Sequence, residues 1–369
     1  MMKVGFDYQI FSLQAFGGIS RYYVSLAEQL RSMGQSPKIF APFHCNEYLS
    51  SASPGIVDGK RVASKNSKLM RLTLPLNHLV SNSRAKAWTP DVLHETYFSM
   101  FSTPRRSCPT VLTVYDMVHE KFPEEFSKWG NISVRKRAAV ERADHVICIS
   151  ESTRNDLIMA FGVDESKVSV VYLGFDTFAD VSVKSDSPIF TRRPYLLFVG
   201  NRAGYKNFHG FLRAFARSPA LSADYDVACF GGGAFTAAEK EFIHSLGLSE
   251  DRVSYQGGSD KVLGDLYSQA TAFVYPSMYE GFGLPPLEAM AKGCPVIVSR
   301  SSSMPEVVGE AGCYFDPHSI EEMSCAMEKV VFSSSLRQSM VIAGYNRLRK
   351  FSWASCAEKT MDVYTQVMR

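Results

Sequence analysis

Residues 272–292 read AFVYPSMYEGFGLPPLEAMAK, and the order of residue types in this stretch decides the fold. Ala272–Pro276 is an apolar run of the length of a buried strand. Two glycines follow, Gly281 and Gly283, and then Pro285 and Pro286 open a run of helical composition from Leu287 to Lys292. Proline suits a first helical turn, because its missing N–H would have no partner there. The chain thus reads strand, glycine loop, helix, the unit that parallel sheets with crossover helices repeat. In an open sheet of that kind ligands bind at the carboxyl ends of the strands. Amides at a helix start favour a phosphate, and glycine lets the backbone come close to it. Glu280 and Glu288 flank this turn, where two carboxylates would repel an anion. They make sense if each accepts hydrogen bonds from hydroxyls at one end of a ligand, ribose at one and a transferred sugar at the other. Two acids answering the helix dipole are the plainer alternative.

The same alternation extends to both sides. Strands are expected at Tyr195–Val199, Val227–Phe230, Val253–Tyr255 and Pro295–Val298, with helical patterns between them. An earlier series runs through Lys3–Phe6, Lys38–Ala41, Val92–His94, Thr110–Val114, Val146–Ile149 and Val168–Tyr172, with a helix from about Ser20 to Met33. Asp176–Arg193, rich in Ser, Asp and Thr, reads as the linker. The tail Ser352–Met368 reads as a helix with Trp353, Ala357, Met361 and Tyr364 on one face. The expected class is α/β, with Rossmann-like domains at 1–180 and 190–350. At 369 residues the chain has room for both.

Composition narrows the classes of function. Forty basic against 37 acidic residues give a net charge of +3, so no nucleic-acid partner is expected. The eight cysteines form no C-x-x-C pair and read as buried thiols of a reducing compartment, not as a disulfide frame or zinc site. Met1–Asp7 reads as a strand and not a signal peptide, and no apolar run reaches membrane-span length, so the expected location is the cytoplasm. His44–Pro90 carries Lys60, Arg61, Lys65, Lys68, Arg71, Arg84 and Lys86 interleaved with Leu69, Leu72, Leu74, Leu76 and Leu79. It fits either an amphipathic surface for an anionic membrane, making the protein peripheral on the inner face, or a solvated helix pair over the sheet.

Other loops add polar groups. Gly200–Asn207 (GNRAGYKN) supplies Arg202 and Lys206, which could reach a diphosphate as its charge grows. Phe16-Gly17-Gly18-Ile19-Ser20-Arg21-Tyr22 is a glycine loop feeding a helix. It is not G-x-G-x-x-G, which counts against a nicotinamide dehydrogenase. After the strand ending at Val114, Asp116 and His119 would face the interdomain cleft, and His94-Glu95 would follow another strand in the same way. Asp224-Tyr225-Asp226 has the form of a metal-ligand pair but begins a strand pattern, at the wrong sheet edge.

The run from Tyr275-Pro276-Ser277 through Glu280-Gly281-Phe282-Gly283-Leu284-Pro285 and Leu287-Glu288-Ala289-Met290-Ala291 to Gly293 and Pro295-Val296-Ile297 resembles the E-x7-E signature of glycosyltransferase family 4. Gly17-Gly18-Ile19, Arg21-Tyr22, Lys206-Asn207, Gly257, Ala270, Pro305-Glu306-Val307 and Phe351-Ser352-Trp353 with Tyr364 extend the resemblance along nearly the whole chain. It implies the GT-B fold, two doubly wound domains facing a cleft, with the helix at 352–369 returning to the first domain. It implies retention of anomeric configuration, no metal and no cofactor, with a nucleotide-diphosphate sugar as donor. Glu280 would contact the donor sugar, the amides of Phe282, Gly283 and Leu284 the sugar and diphosphate, and Glu288 the ribose. Arg202 and Lys206 would neutralise the diphosphate. Gly17 and Gly18 would bring backbone close to the donor, and the acceptor would enter near Gly18, Asp116 and His119. Tyr115 stands where the family often has histidine. The opening segment resembles enzymes of bacterial surface polysaccharides, which implies GDP-mannose as donor and a saccharide or lipid-linked saccharide as acceptor, with UDP- or dTDP-sugars as rival donors. A sugar-nucleotide epimerase and a nucleotide-sugar-binding scaffold share the architecture. Two close carboxylates could also serve a glycosidase, but the anion turn between them favours binding roles.

Overall fold

The computed structural model describes residues 1–62, 73–99, 108–126, 131–175, 193–202 and 204–369. The chain divides into two compact units, one of Met1–Gly174 with Ser352–Arg369 and one of Phe175–Phe351. Most of the expected linker, and Lys65, Lys68 and Arg71 of the basic segment, lie outside the described residues.

The first unit holds β1 (Lys3–Phe6), β2 (Ser36–His44), β3 (Val57–Arg61), β4 (Val92–Glu95), β5 (Thr110–Val114), β6 (His145–Cys148) and β7 (Val168–Val170). They form one sheet in the order β3-β2-β1-β4-β5-β6-β7, paired in parallel throughout. β3 replaces part of the helix pair expected before Pro90. Its sequence VDGKR has one apolar residue and no period to read, and it sits at the sheet edge. Glycine is required at Gly59, where a Cβ would lie 1.7 Å from the Ala41 carbonyl oxygen. The helix Leu74–Trp88 follows and buries Asn77, Ser81 and Ala85. Asn77 is spent on β2, accepting from the Phe43 amide at 2.9 Å and donating to its carbonyl at 2.7 Å.

The last helix, Trp353–Val367, belongs to this unit. Trp353, Cys356, Ala357, Thr360, Val363 and Tyr364 are its buried residues. Tyr364 meets His94, and Trp353 lies 6.1 Å from Tyr22 of the helix Gly18–Ser32.

The second unit holds β8 (Tyr195–Val199), β9 (Asp226–Phe230), β10 (Val253–Gln256), β11 (Ala272–Tyr275), β12 (Val296–Ser299) and β13 (Gly312–Phe315), in the order β10-β9-β8-β11-β12-β13, again parallel. The helix Phe208–Arg217 buries Phe208, Phe211, Leu212 and Phe215 against Leu196 and Phe198 of β8, each worth roughly 1.5–3 kcal/mol. Both sheets are doubly wound. Strand order reverses between β1 and β4 in one and between β8 and β11 in the other, and loops leaving such a pair splay apart into a crevice.

Candidate active site

The crevice of the second unit lies between the loops after β8 and β11, which are tied together where the Met278 amide donates to the Tyr205 carbonyl at 2.8 Å. A short turn, Gly204–Lys206, delivers Lys206 and ends at Asn207, whose φ of 56° is left-handed. Asn207 tolerates this and fixes the bend by donating from Nδ2 to the Pro317 carbonyl at 2.8 Å. Lys206 Nζ then stands 2.5 Å from Glu280 Oε1 and 3.5 Å from the Tyr275 hydroxyl. Both side chains of the ion pair are largely buried, at 15% and 13% exposure. Burial pulls the Lys206 ammonium down, but the Glu280 carboxylate outweighs it and holds the group above its ordinary value. Lys206 is therefore a fixed cation at neutral pH.

Beyond Glu280 the chain turns into the helix Leu284–Ala291 at Gly283, whose φ is 105°. Pro285 and Pro286 carry no N–H, so of the four amides a helix start leaves open only those of Gly283 and Leu284 remain. Neither donates to another described residue. The loop is held from the neighbouring strand. At the end of β12, Ser299 Oγ donates to the Ser277 carbonyl at 2.6 Å, and just beyond it Ser301 Oγ donates to the Met278 carbonyl. Ser302 Oγ accepts from the Glu280 amide at 2.8 Å. Ser303 Oγ bridges the carbonyls of Glu280 and Phe282 at 2.9 and 2.8 Å. In the sequence these residues look like a plain serine run, and only the pairing of β11 with β12 shows their purpose. The Phe282 ring is edge-on to Phe351 at 5.6 Å. Glu288, half-buried on the helix, accepts from the Tyr267 hydroxyl at 3.2 Å.

Arg202 does not point the way its sequence position suggests. Its Nε is 2.5 Å from Glu239, Nη1 donates to the Gly231 carbonyl at 2.8 Å and Nη2 to the Gly233 carbonyl at 2.8 Å. Its guanidinium lies 4.8 Å from the Phe235 ring centroid, and the side chain is 4% exposed. Gly231, Gly232 and Gly233 all have left-handed φ, which turns their carbonyls onto this one cation. Arg202 is a staple for the loop after β9. Asp226 opens β9 at the other end of that strand, and Arg252 Nε holds it at 2.7 Å. Among the described residues, no group of three His, Cys, Asp or Glu side chains is placed to hold a metal.

In the first unit, Asp116 and His119 lie together just beyond β5. The Asp116 carboxylate, 38% exposed, accepts from the Val118 amide at 3.1 Å. The His119 ring lies 4.5 Å from that of Phe126, tilted by 47°, and its Nδ1 is buried without a partner. Burial lowers its pKa, against an opposing pull from Asp116. Sequence reading missed Lys136, hidden in the charged run ISVRKRAAVER yet 1% exposed. It donates to the Asp116 carbonyl at 2.8 Å and to Glu120 Oε2 at 2.6 Å, fixing the turn that carries both candidates.

His94 and Glu95 lie inside β4 and not beyond it. His94 is fully buried between the Tyr364 hydroxyl at 2.7 Å and Thr113 Oγ1 at 2.8 Å, and burial pulls its pKa down to about 3. It is a neutral structural imidazole. At the crevice between β1 and β4, Asp7 accepts from the Thr96 amide at 2.9 Å and from Gln9 Nε2 at 2.5 Å. Gly17 caps the helix Gly18–Ser32, and its carbonyl accepts from Ser20 Oγ at 3.0 Å.

Residues 16–178 match the family model described as Glycosyltransferase Family 4, and residues 182–347 the one described as Glycosyl transferases group 1. The O-antigen chain mannosyltransferase B of Escherichia coli is 26% identical over 367 residues, covering 94% of this chain and 95% of its own. The sucrose-phosphate synthase of Thermosynechococcus elongatus superposes with a TM-score of 0.76 at 19% identity, covering 99% of each chain. The HepE protein of Anabaena, solved with UDP and glucose, does so with a TM-score of 0.73 at 18% identity over 99% of each chain.

Proposed function

The chain belongs to the family 4 glycosyltransferases of GT-B fold, and from that premise we propose that it moves mannose from GDP-mannose to a saccharide or lipid-linked saccharide, with retention of configuration and without a metal. The observation that carries this reading is the Lys206–Glu280 pair beside the open amides of Gly283 and Leu284. Lys206 and the two amides supply positive charge where a diphosphate leaves, a service worth about a hundred- to a thousandfold in rate per donor. The second oxygen of Glu280 takes a sugar hydroxyl, and Glu288 takes the ribose. Arg202 contributes by holding the loop after β9, not by touching phosphate. In the first unit, the turn of Asp116 and His119 receives the acceptor.

The bond from the anomeric carbon to the phosphate oxygen breaks first, and its electron pair leaves with the nucleoside diphosphate. The acceptor oxygen bonds the same face of that carbon, and its proton passes to the departing phosphate oxygen. No protein base is required, so the two glutamates keep binding roles. The likeness to the E. coli mannosyltransferase supports mannose. UDP-sugar is the second reading, favoured by the UDP and glucose seen with HepE.

A panel of sugar nucleotides scored by thermal shift tests the donor. At a hundredfold excess over Kd, GDP-mannose should raise the melting temperature by roughly 5 °C or more. A shift with UDP-sugars alone would replace the donor. An inverted product by proton NMR would sink the same-face mechanism, and loss of activity in EDTA would sink metal independence.

A further inference from the structure

The helix Leu74–Trp88 of the first unit is built inside out. A surface helix ordinarily buries apolar side chains and exposes polar ones. This one buries Asn77, Ser81 and Ala85 and exposes Leu76 and Leu79, at 50% and 68%. Its buried polar groups are spent on the sheet. Asn77 is bonded to Phe43, and Ser81 Oγ donates to the Phe40 carbonyl at 3.0 Å. Leu76 and Leu79, three positions apart, share the face opposite these anchors, and Lys86 continues that face two turns beyond Leu79.

The anchors also fix where this face stands on the sheet. Asn77 meets the carboxyl end of β2, while the Trp88 ring lies 5.4 Å from Lys38 Nζ near its start. The helix therefore runs against the strands, and its leucines stand at the carboxyl edge, which also carries the turn of Asp116 and His119. Lys60 and Arg61 reach the same edge, in register with Phe43 and His44. On β3, Lys60 shares a face with Asp58. Asp58 meets Arg84 of the helix at 2.6 Å, so Lys60 is on the helix side of the sheet. Arg61 and Arg84 are answered by Glu47 and Asp58, but Lys60 and Lys86 are exposed and in no ion pair among the described residues. From Gly59 to Pro90 the sequence has seven lysines and arginines and no aspartate or glutamate, whereas the rest of the chain has 33 basic and 37 acidic residues. Outward leucines amid segregated positive charge match a surface that is anionic with an apolar layer beneath it, which is the chemistry of a lipid bilayer. Among the described residues no helix is long and apolar enough to cross a membrane, so the contact is with the surface.

We propose that the outer face of this helix docks the first unit on an anionic bilayer, with Leu76 and Leu79 entering the boundary of the acyl chains and Lys60 and Lys86 meeting the headgroups. The docking goes beyond the transferase reading and needs no sugar nucleotide. The test is co-sedimentation of the full chain with vesicles of phosphatidylcholine mixed with phosphatidylglycerol, and with vesicles of phosphatidylcholine alone. Wild type should pellet with the mixed vesicles, less so as salt rises, and should leave the neutral ones in solution. Leu76→Gln with Leu79→Gln should weaken partitioning by about tenfold or more. Lys60→Gln with Lys86→Gln should weaken it by roughly twentyfold, about fivefold for each cation. Both variants should keep the melting temperature of wild type, since all four side chains are exposed. No pelleting of wild type, equal partitioning of wild type and the leucine variant, or equal binding to both kinds of vesicle overturns the docking. So does a concentration-dependent dimer that the leucine variant abolishes, which would assign the face to a second copy of the chain. Failure of every sugar nucleotide to raise the melting temperature would count against the donor reading and leave the vesicle result standing.

Discussion

Breaking the Lys206–Glu280 pair gives the sharpest test of the donor site. At 2.5 Å and an effective dielectric of about 20, the gross attraction is about 6–7 kcal/mol. Desolvation of two largely buried groups consumes much of that, and losing one partner leaves the other charge stranded. Lys206→Met and Glu280→Gln should each destabilise the second unit by about 3 kcal/mol, the low end for buried pairs because both side chains retain some solvent contact. The double variant should cost about 3–4 kcal/mol and not 6, a coupling of about 2–3 kcal/mol. The assay is urea unfolding, read on the transition that includes the second unit, with sugar-nucleotide binding measured in parallel. Single costs that add to within about 0.5 kcal/mol would mean that the pair does not exist in solution. The charge assignment for Lys206 would then fall with it.

Ser303→Ala removes the donor shared by the carbonyls of Glu280 and Phe282, so stability should drop by about 1–3 kcal/mol and the donor KM should rise; an unchanged KM would show that the turn keeps its shape without the serine. His94 makes stability depend on pH. Its pKa is about 3 when folded against 6.5 in the free side chain, so below pH 6.5 the unfolded chain binds a proton that the folded chain does not. Stability should fall through that window, by about 2 kcal/mol at pH 5 relative to neutral, and His94→Gln should flatten the slope between denaturant midpoints at pH 7 and pH 5.

What the sequence revealed depended on how far apart the cooperating residues lie. Strand, glycine loop and proline-started helix are written in some twenty consecutive residues, so residues 272–292 disclose the crevice directly. Glu280 and Lys206 are 74 positions apart, yet each follows a strand, and topology joins them. The serines at the end of β12 and just beyond it were not legible, because their partners lie 21–23 residues away on a neighbouring loop. Arg202 stands in the expected loop, but sequence gives no direction to a side chain, and its partners are the glycines after β9. β3 escaped because an edge strand of polar residues has no face to bury. Lys136 escaped because a helix crowded with charge hides the one lysine that points inward.

The bond between His94 and Tyr364 has a consequence for the order of synthesis. A ribosome delivers β1 to β7 first, and domains near the start of a chain commonly fold before the rest emerges. Here the core of the first unit lacks Trp353, Ala357 and Tyr364 until the whole second unit has been made. Until then His94 and the tyrosines around it have an open apolar flank. The half that is begun first is therefore completed last, and a chain truncated before residue 353 should carry a complete second unit and an unfinished first one.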